Sequence, residues 1–216
     1  MGSNLHLHLH EWAKSKLDLF CQPPMQTSCQ NGYWCEFLPI STINEGYSID
    51  FHVSASSEEY FDLMHTHIHV QAQTTKADGT NLDDGAAVGP TNYWLHSVFS
   101  QLGIYLNDKL VTDSSHTYAC KAFLETLLSF GSEAKDSFLK GALWYKDKAG
   151  SMDDVANAKT GPVKRRKFTA QSNMVDTYGK VHADIFAQSK YLLDGVSLKL
   201  RFVRSPKKFC TTSSSD

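Results

Sequence analysis

Several segments of this chain alternate apolar and polar side chains with a period of two, and this rhythm narrows the possible folds more than any other feature. In YSIDFHVS (47–54), Tyr47, Ile49, Phe51 and Val53 share one face, while Ser48, Asp50, His52 and Ser54 share the other. In LMHTHIHVQAQT (63–74), Met64, Thr66, Ile68, Val70 and Ala72 oppose His65, His67, His69, Gln71 and Gln73. KVHADIFAQ (180–188) and GVSLKLRFV (195–203) repeat the pattern, the latter turning Val196, Leu198, Leu200 and Phe202 inward. Period-two segments rich in β-branched and aromatic residues predict half-buried strands. YWLHSVFSQLGIYLNDKLV (93–111) holds two more, with Trp94 in a strand and Asn107-Asp108 as a tight hairpin turn; both turn residues tolerate positive φ. Asp78-Gly79 and Asp194-Gly195 are further turn signals.

One helix interrupts this pattern. In SSHTYACKAFLETLLSFG (114–131), Cys120, Phe123, Leu124, Leu127 and Leu128 recur at helical spacing, which predicts a helix over about 115–130 with those residues on its apolar face. Residues 146–162 have no period and read as a long surface loop. About eight strands, one helix and no β-α-β rhythm make the expected fold all-β. The best fit is an antiparallel two-sheet jelly-roll sandwich with one inserted helix. The expected organisation is an N-terminal arm at 1–40, a jelly-roll domain at 41–210 and a polar tail at 211–216.

Composition removes several function classes. Lys plus Arg number 21 against 23 Asp plus Glu, a net charge of −2. Coating nucleic acid needs a basic excess, so no sequence-specific nucleic-acid partner is expected. The five cysteines (Cys21, Cys29, Cys35, Cys120, Cys210) form no C-x-x-C pair, and reduced thiols in a cytosolic or nuclear setting follow. No apolar run approaches the ~20 residues that cross a bilayer, and residues 1–16 lack the apolar core of a secretory signal, so no membrane partner and intracellular synthesis are expected. Nucleophile-elbow, P-loop, zinc-protease and dinucleotide motifs are absent. The reading is a non-enzyme without cofactors.

Three motifs remain open. His65, His67 and His69 would lie on one strand face ~7 Å apart. Two of them could share a metal, as in cupin-type jelly-roll enzymes, or the set could be a polar strand face. Four residues after His69 stands Gln73, where a cupin site needs a carboxylate. His6, His8 and His10 form a second alternating set. The run Lys164, Arg165, Arg166, Lys167 reads either as a nuclear-import address or as the solvated edge of a loop beside a strand. Asp78, Asp83 and Asp84 lack the spacing and closing Glu of a calcium loop.

The segment LDLFCQPPMQTSCQNGYWCEFLPIS (17–41) has three prolines, Pro23, Pro24 and Pro39, and little periodicity. Prolines keep such a stretch out of a central strand, so it reads as an extended arm. Leu17, Leu19, Phe20, Pro23 and Pro24 would lie against a neighbour, and Trp144 and Tyr145 are further interface anchors.

Together with that arm, GPTNYWLHSVFSQLGIYLNDKLV, AFLETLLSFG, ALWYKDKAG and YLLDGVSLKLRFVRSPKKFC resemble, in order and spacing, the major capsid protein of polinton (Maverick) elements and adintoviruses. The resemblance spans roughly residues 17 to 210. It implies membership of the double jelly-roll capsid lineage. It also implies a subunit that self-associates into trimeric capsomers of an icosahedral shell, with other capsid proteins as partners. The expected location is the virion, after synthesis in host cytoplasm with assembly there or in the nucleus. A double jelly-roll subunit carries a second sandwich, whereas this sequence stops after the strands of one.

Overall fold

A computed structural model describes residues 31–40, 43, 48–54, 59–156 and 159–213. The chain divides into two compact units, Met1–Glu36 and Phe37–Asp216. Of the first, residues 31–36 are described; they have no regular secondary structure and are exposed.

Among the described residues the second unit holds eight strands: β1 (Ile49–Val53), β2 (His67–Ala72), β3 (Val88–Pro90), β4 (Phe99–Leu106), β5 (Lys109–Asp113), β6 (Val175–Lys180), β7 (Leu198–Arg204) and β8 (Thr211–Ser213). A four-stranded sheet runs in the order β1-β7-β4-β5, and β2-β6 and β3-β8 form two-stranded ribbons. Every pairing is antiparallel. Ile68 of β2 belongs to the same buried cluster as Ile49, Leu102, Ile104, Leu200 and Phe202 of the larger sheet. Sheet and ribbon thus bury their inner faces in one core, an arrangement compatible with a β-sandwich.

Alternation became burial where strands were expected. Ile49 and Val53 are buried on β1, and Leu198, Leu200 and Phe202 on β7. On the opposite face Arg201 forks onto Asp50, with Nε 3.0 Å from one carboxylate oxygen and a terminal nitrogen 3.1 Å from the other. Phe202 centres the core, 4.7 Å from Phe99 and 6.0 Å from both Phe51 and Tyr118, ring centre to ring centre. Asn107 (φ 46°) and Asp108 (φ 62°) are both left-handed, the backbone of a two-residue hairpin that suits the strand twist. The Asn107 side chain accepts from the Ser197 amide at 2.9 Å, tying the hairpin tip to the start of β7. The Tyr47 position lies outside the described residues.

Four expectations are corrected. Trp94 sits in a short helix, Trp94–Ser97, not in a strand. The strand expected over 180–188 ends at Lys180; Val181 and Ala183 still point inward, but Asp184–Phe186 closes a 3-10 turn. The tail at 211–216 is in part a strand, since β8 pairs with β3. Finally, helix is more abundant than the single one expected.

The expected helix is α1 (Tyr118–Ser129). An unexpected one, α2 (Gly161–Thr169), occupies the end of the supposed loop and the basic run. Pro162 opens α2, where a missing amide hydrogen costs nothing. Among the described residues three more short helices, Trp94–Ser97, Ser132–Asp136 and Lys207–Cys210, connect other elements.

Candidate assembly surface and the network beneath it

Helix α1 docks the opposite way round from its leucine spacing. Its buried residues are Tyr118, Ala122 and Thr126, four apart on one stripe. Leu124, Leu127 and Leu128 face solvent at 54%, 45% and 83% exposure, and Cys120 is also exposed. Both charged residues of α1 are drawn toward the body of the protein. Lys121 Nζ lies 2.5 Å from Asp184 and 3.6 Å from Glu125, and Glu125 reaches His182 at 2.8 Å. The outward stripe therefore has no charge. Beyond the helix, Phe138 is exposed and packs edge-on against Phe130 at 5.6 Å. Nearby, Lys135 donates to the Leu127 carbonyl at 2.9 Å. Large apolar side chains exposed together on one helix face, here with Lys135 at their edge, are a candidate interaction surface.

Beneath α1 lies a polar network in an apolar setting. His182 is the bridge: its Nε2 is 2.8 Å from the Tyr93 hydroxyl and its Nδ1 is 2.8 Å from the Glu125 carboxylate. This pattern suits a neutral ring whose Nδ1–H donates to Glu125 while Nε2 accepts from Tyr93. His96, fully buried, places Nδ1 3.0 Å from the Tyr118 hydroxyl. Its Nε2 has no hydrogen-bond partner among the described residues. The two imidazoles meet edge to face at 4.7 Å. Burial disfavours charge, so it pushes both histidines below their usual value; for His96 the neighbouring His182 adds to the effect, and for His182 Glu125 opposes it. Burial likewise pushes the Tyr93 hydroxyl up to about 12 and raises Tyr118 further. Tyr93 itself is left-handed (φ 58°), a strained backbone for a bulky residue that its burial and hydrogen bonds hold in place. His182 also lines an open depression of about 330 Å³, with Lys121, Asp184, Asp113 and Thr117 on its rim.

Nothing in the sequence pointed to this network. His96 and His182 are single histidines in unrelated segments, and the fold alone brings them together. The histidines singled out by the sequence are dispersed instead. His65 lies in a 3-10 turn, Leu63–His65, 2.7 Å from Asp62. His67 stacks on Tyr178 at 4.8 Å, and burial lowers its pKa. His69 pairs with Asp176 at 3.0 Å. The three do not share a strand face, and among the described residues no group of three His, Cys, Asp or Glu side chains could hold a metal ion. His6, His8 and His10, and the arm residues Leu17, Leu19, Phe20, Pro23 and Pro24, lie outside the described residues.

Of the other anchors, Trp144 is a core residue, with Lys135 5.5 Å above its ring. Its place as an interface anchor is thus corrected: the αL turn at Leu143 (φ 57°) swings it into the interior. Tyr145 is half-buried and packs against Phe168 at 6.1 Å. The basic run is a helix segment, not a loop edge. Arg165 is 1% exposed; it donates to the Pro90 and Tyr145 carbonyls and pairs with Asp147 at 2.7 Å. Arg166 donates to the carbonyls of Val155 and Gly85. Lys164 and Lys167 remain on the outside, so an import receptor would not meet a free run of four charges. Gly161 is required beside this clamp, because a Cβ there would fall 2.1 Å from Asp147 Oδ1.

No helix among the described residues is long and apolar enough to cross a membrane. No family model matches the chain. The chain is similar to an uncharacterized protein of Caenorhabditis elegans, 23% identical over 185 residues that make up 82% of this chain. It spans 42% of the length of that relative.

Proposed function

We propose that this protein is a structural subunit that assembles with copies of itself, as the first jelly roll of a double jelly-roll capsid protein of the polinton and adintovirus type. The observation that carries the reading is α1. Its charged residues are spent on the body of the protein, and an uncharged leucine stripe is turned outward. Burying that stripe against a second copy supplies the apolar centre of a contact, and a stable contact needs ~1,200 Å² or more in total. Three further points support the reading: antiparallel layers around one core, as a jelly-roll topology requires; the resemblance carried by the sequence blocks; and a nematode relative long enough to hold a second domain of equal size. Assembly into trimeric capsomers with other capsid proteins, and residence in a virion, belong to this proposal.

Light scattering on a sizing column tests it, with the double variant Leu124→Ser/Leu128→Ser as the control. The parent should run as a trimer or larger, and the variant should shift toward monomer. A parent that stays monomeric at every concentration, or a variant that assembles like the parent, would refute the role of α1.

A further inference from the structure

The arrangement beneath α1 has a property that assembly does not require. The helix that displays the leucine stripe is held down by Tyr118, Ala122 and Thr126 with Phe123 packed beside them, not by its leucines. Its docking face carries Tyr118, Ala122 and Thr126, and two hydrogen-bonded links lead from it to histidines: Tyr118 to His96, and Glu125 to His182. We propose that α1 is an acid-releasable element, whose docking is undone when the buried His96–His182 pair takes up protons. The proposal concerns regulation of the assembly surface, and in that respect it rests on the function proposed above.

The geometry explains why protons would oppose docking. A protonated His182 donates from both nitrogens, so Tyr93 must turn its hydroxyl from donor to acceptor and its own proton loses the imidazole partner. A protonated His96 would carry a charge at full burial, 4.7 Å from the second ring. The groups facing the pair offer little relief. From α1 come Tyr118, Glu125 and Lys121, the last itself cationic and engaged with Asp184 of the 3-10 turn. Tyr93 comes from the segment before the Trp94–Ser97 helix. From β6 the neighbour is Gly179, whose built Cβ would lie 3.5 Å from His96 Nε2. From the sheet it is Phe202, against Tyr118. The Lys207–Cys210 helix places its Cys210 thiol on the Ser97 carbonyl. Among the described residues Glu125 is the one carboxylate hydrogen-bonded to the pair; it reaches His182 and not His96, and it is shared with Lys121.

The sign follows from burial. Both histidines titrate below their ordinary 6.5 when docked and return toward it when released. The closed state is therefore fully favoured above about pH 6.5 and loses ground as pH falls from there through the depressed docked values. Each histidine that gains a proton on opening raises the opening constant about tenfold per pH unit, so two give up to about a hundredfold.

Hydrogen exchange across pH 7.5 to 5, corrected for the intrinsic rate at each pH, tests this in the full chain. Run alongside it, the Leu124→Ser/Leu128→Ser variant makes the result independent of whether the parent assembles. Protection over 118–129 should fall as pH drops below 6.5, by up to about tenfold per unit for each histidine that gains a proton on opening, while β4 and β7 keep theirs. His182→Gln, which cannot take up a proton, should flatten the slope. If His182→Gln fails to fold, His96→Gln provides the same reading from the other ring. Protection of α1 that is constant with pH, or that falls together with β4 and β7, would overturn the proposal. An unchanged slope in a folded histidine variant would do the same.

Discussion

Removing the carboxylate of Asp147 should be the most destructive single change outside the apolar core. Arg165 is fixed on the inner side of α2 with its side chain 2% exposed, and among the described residues Asp147 is its one anionic partner, at 2.7 Å. The Pro90 and Tyr145 carbonyls supply the remaining contacts. These acceptors are dipoles and cannot neutralise a buried guanidinium. Asp147→Ala should therefore cost about 3–5 kcal/mol, the range for stranding one member of a buried pair. Asp147 itself is 14% exposed and accepts a second bond from the Asn92 amide at 3.0 Å. Arg165→Met should accordingly be milder, at about 1–3 kcal/mol, because the stranded group keeps one donor and some water. The double variant Asp147→Ala/Arg165→Met should be more stable than Asp147→Ala alone, since no buried charge remains. Urea unfolding followed by circular dichroism measures all three. A loss below about 1 kcal/mol for Asp147→Ala, or costs that simply add in the double variant, would refute this account of how α2 is held.

Phe202→Ala should cost about 3–5 kcal/mol by the same assay, as the ring joins Phe51, Phe99 and Tyr118 in the middle of the core. Gly179→Ala should cost about 1–3 kcal/mol, because the new methyl group would meet Leu95 Cδ2 at 2.8 Å; a neutral result would mean that Leu95 can move aside. Asp108→Gly should raise the thermal midpoint modestly, since the residue holds φ 62° and glycine adopts that conformation without a steric penalty. Leu124→Ser and Leu128→Ser should each change stability by less than about 0.5 kcal/mol while weakening association; a large loss of stability would place the stripe in the fold's own packing.

Strand rhythm was legible wherever one strand face meets the core and the other meets water, as at Ile49, Phe51 and Val53 or Leu198, Leu200 and Phe202. The Asn107-Asp108 turn was legible because its residue types fit its dihedrals. Orientation was not legible for α1. Leucine spacing points inward by default, and the docking of Tyr118, Ala122 and Thr126 depends on His96 and His182, which arrive from elsewhere in the chain. Helix α2 was hidden for a related reason. Lys164, Arg165, Arg166 and Lys167 form no apolar stripe, and the segment is helical because Arg165 finds Asp147 and the Pro90 carbonyl inside. The three histidines do not form one row because Leu63–His65 is a 3-10 turn, which leaves His67 and His69 on β2. The relation between His65 and His67 was drawn for a continuous strand and dissolves with that turn.

The order β1-β7-β4-β5 carries a kinetic consequence. The strand between β1 and β4 is β7, whose Phe202 pairs with Ile49 at the far end of a long stretch of sequence. During synthesis the β4-β5 hairpin can close on itself within microseconds, but the main sheet cannot form until residue 204 has left the ribosome. Until then β1 and β4 each present an unpaired edge of backbone N–H and C=O groups beside uncovered apolar side chains, and a growing chain of this kind is exposed to mispairing until β7 emerges. Neighbouring nascent chains would be competing partners, so yield during expression should depend on chaperone supply and temperature more than the stability of the finished fold would suggest.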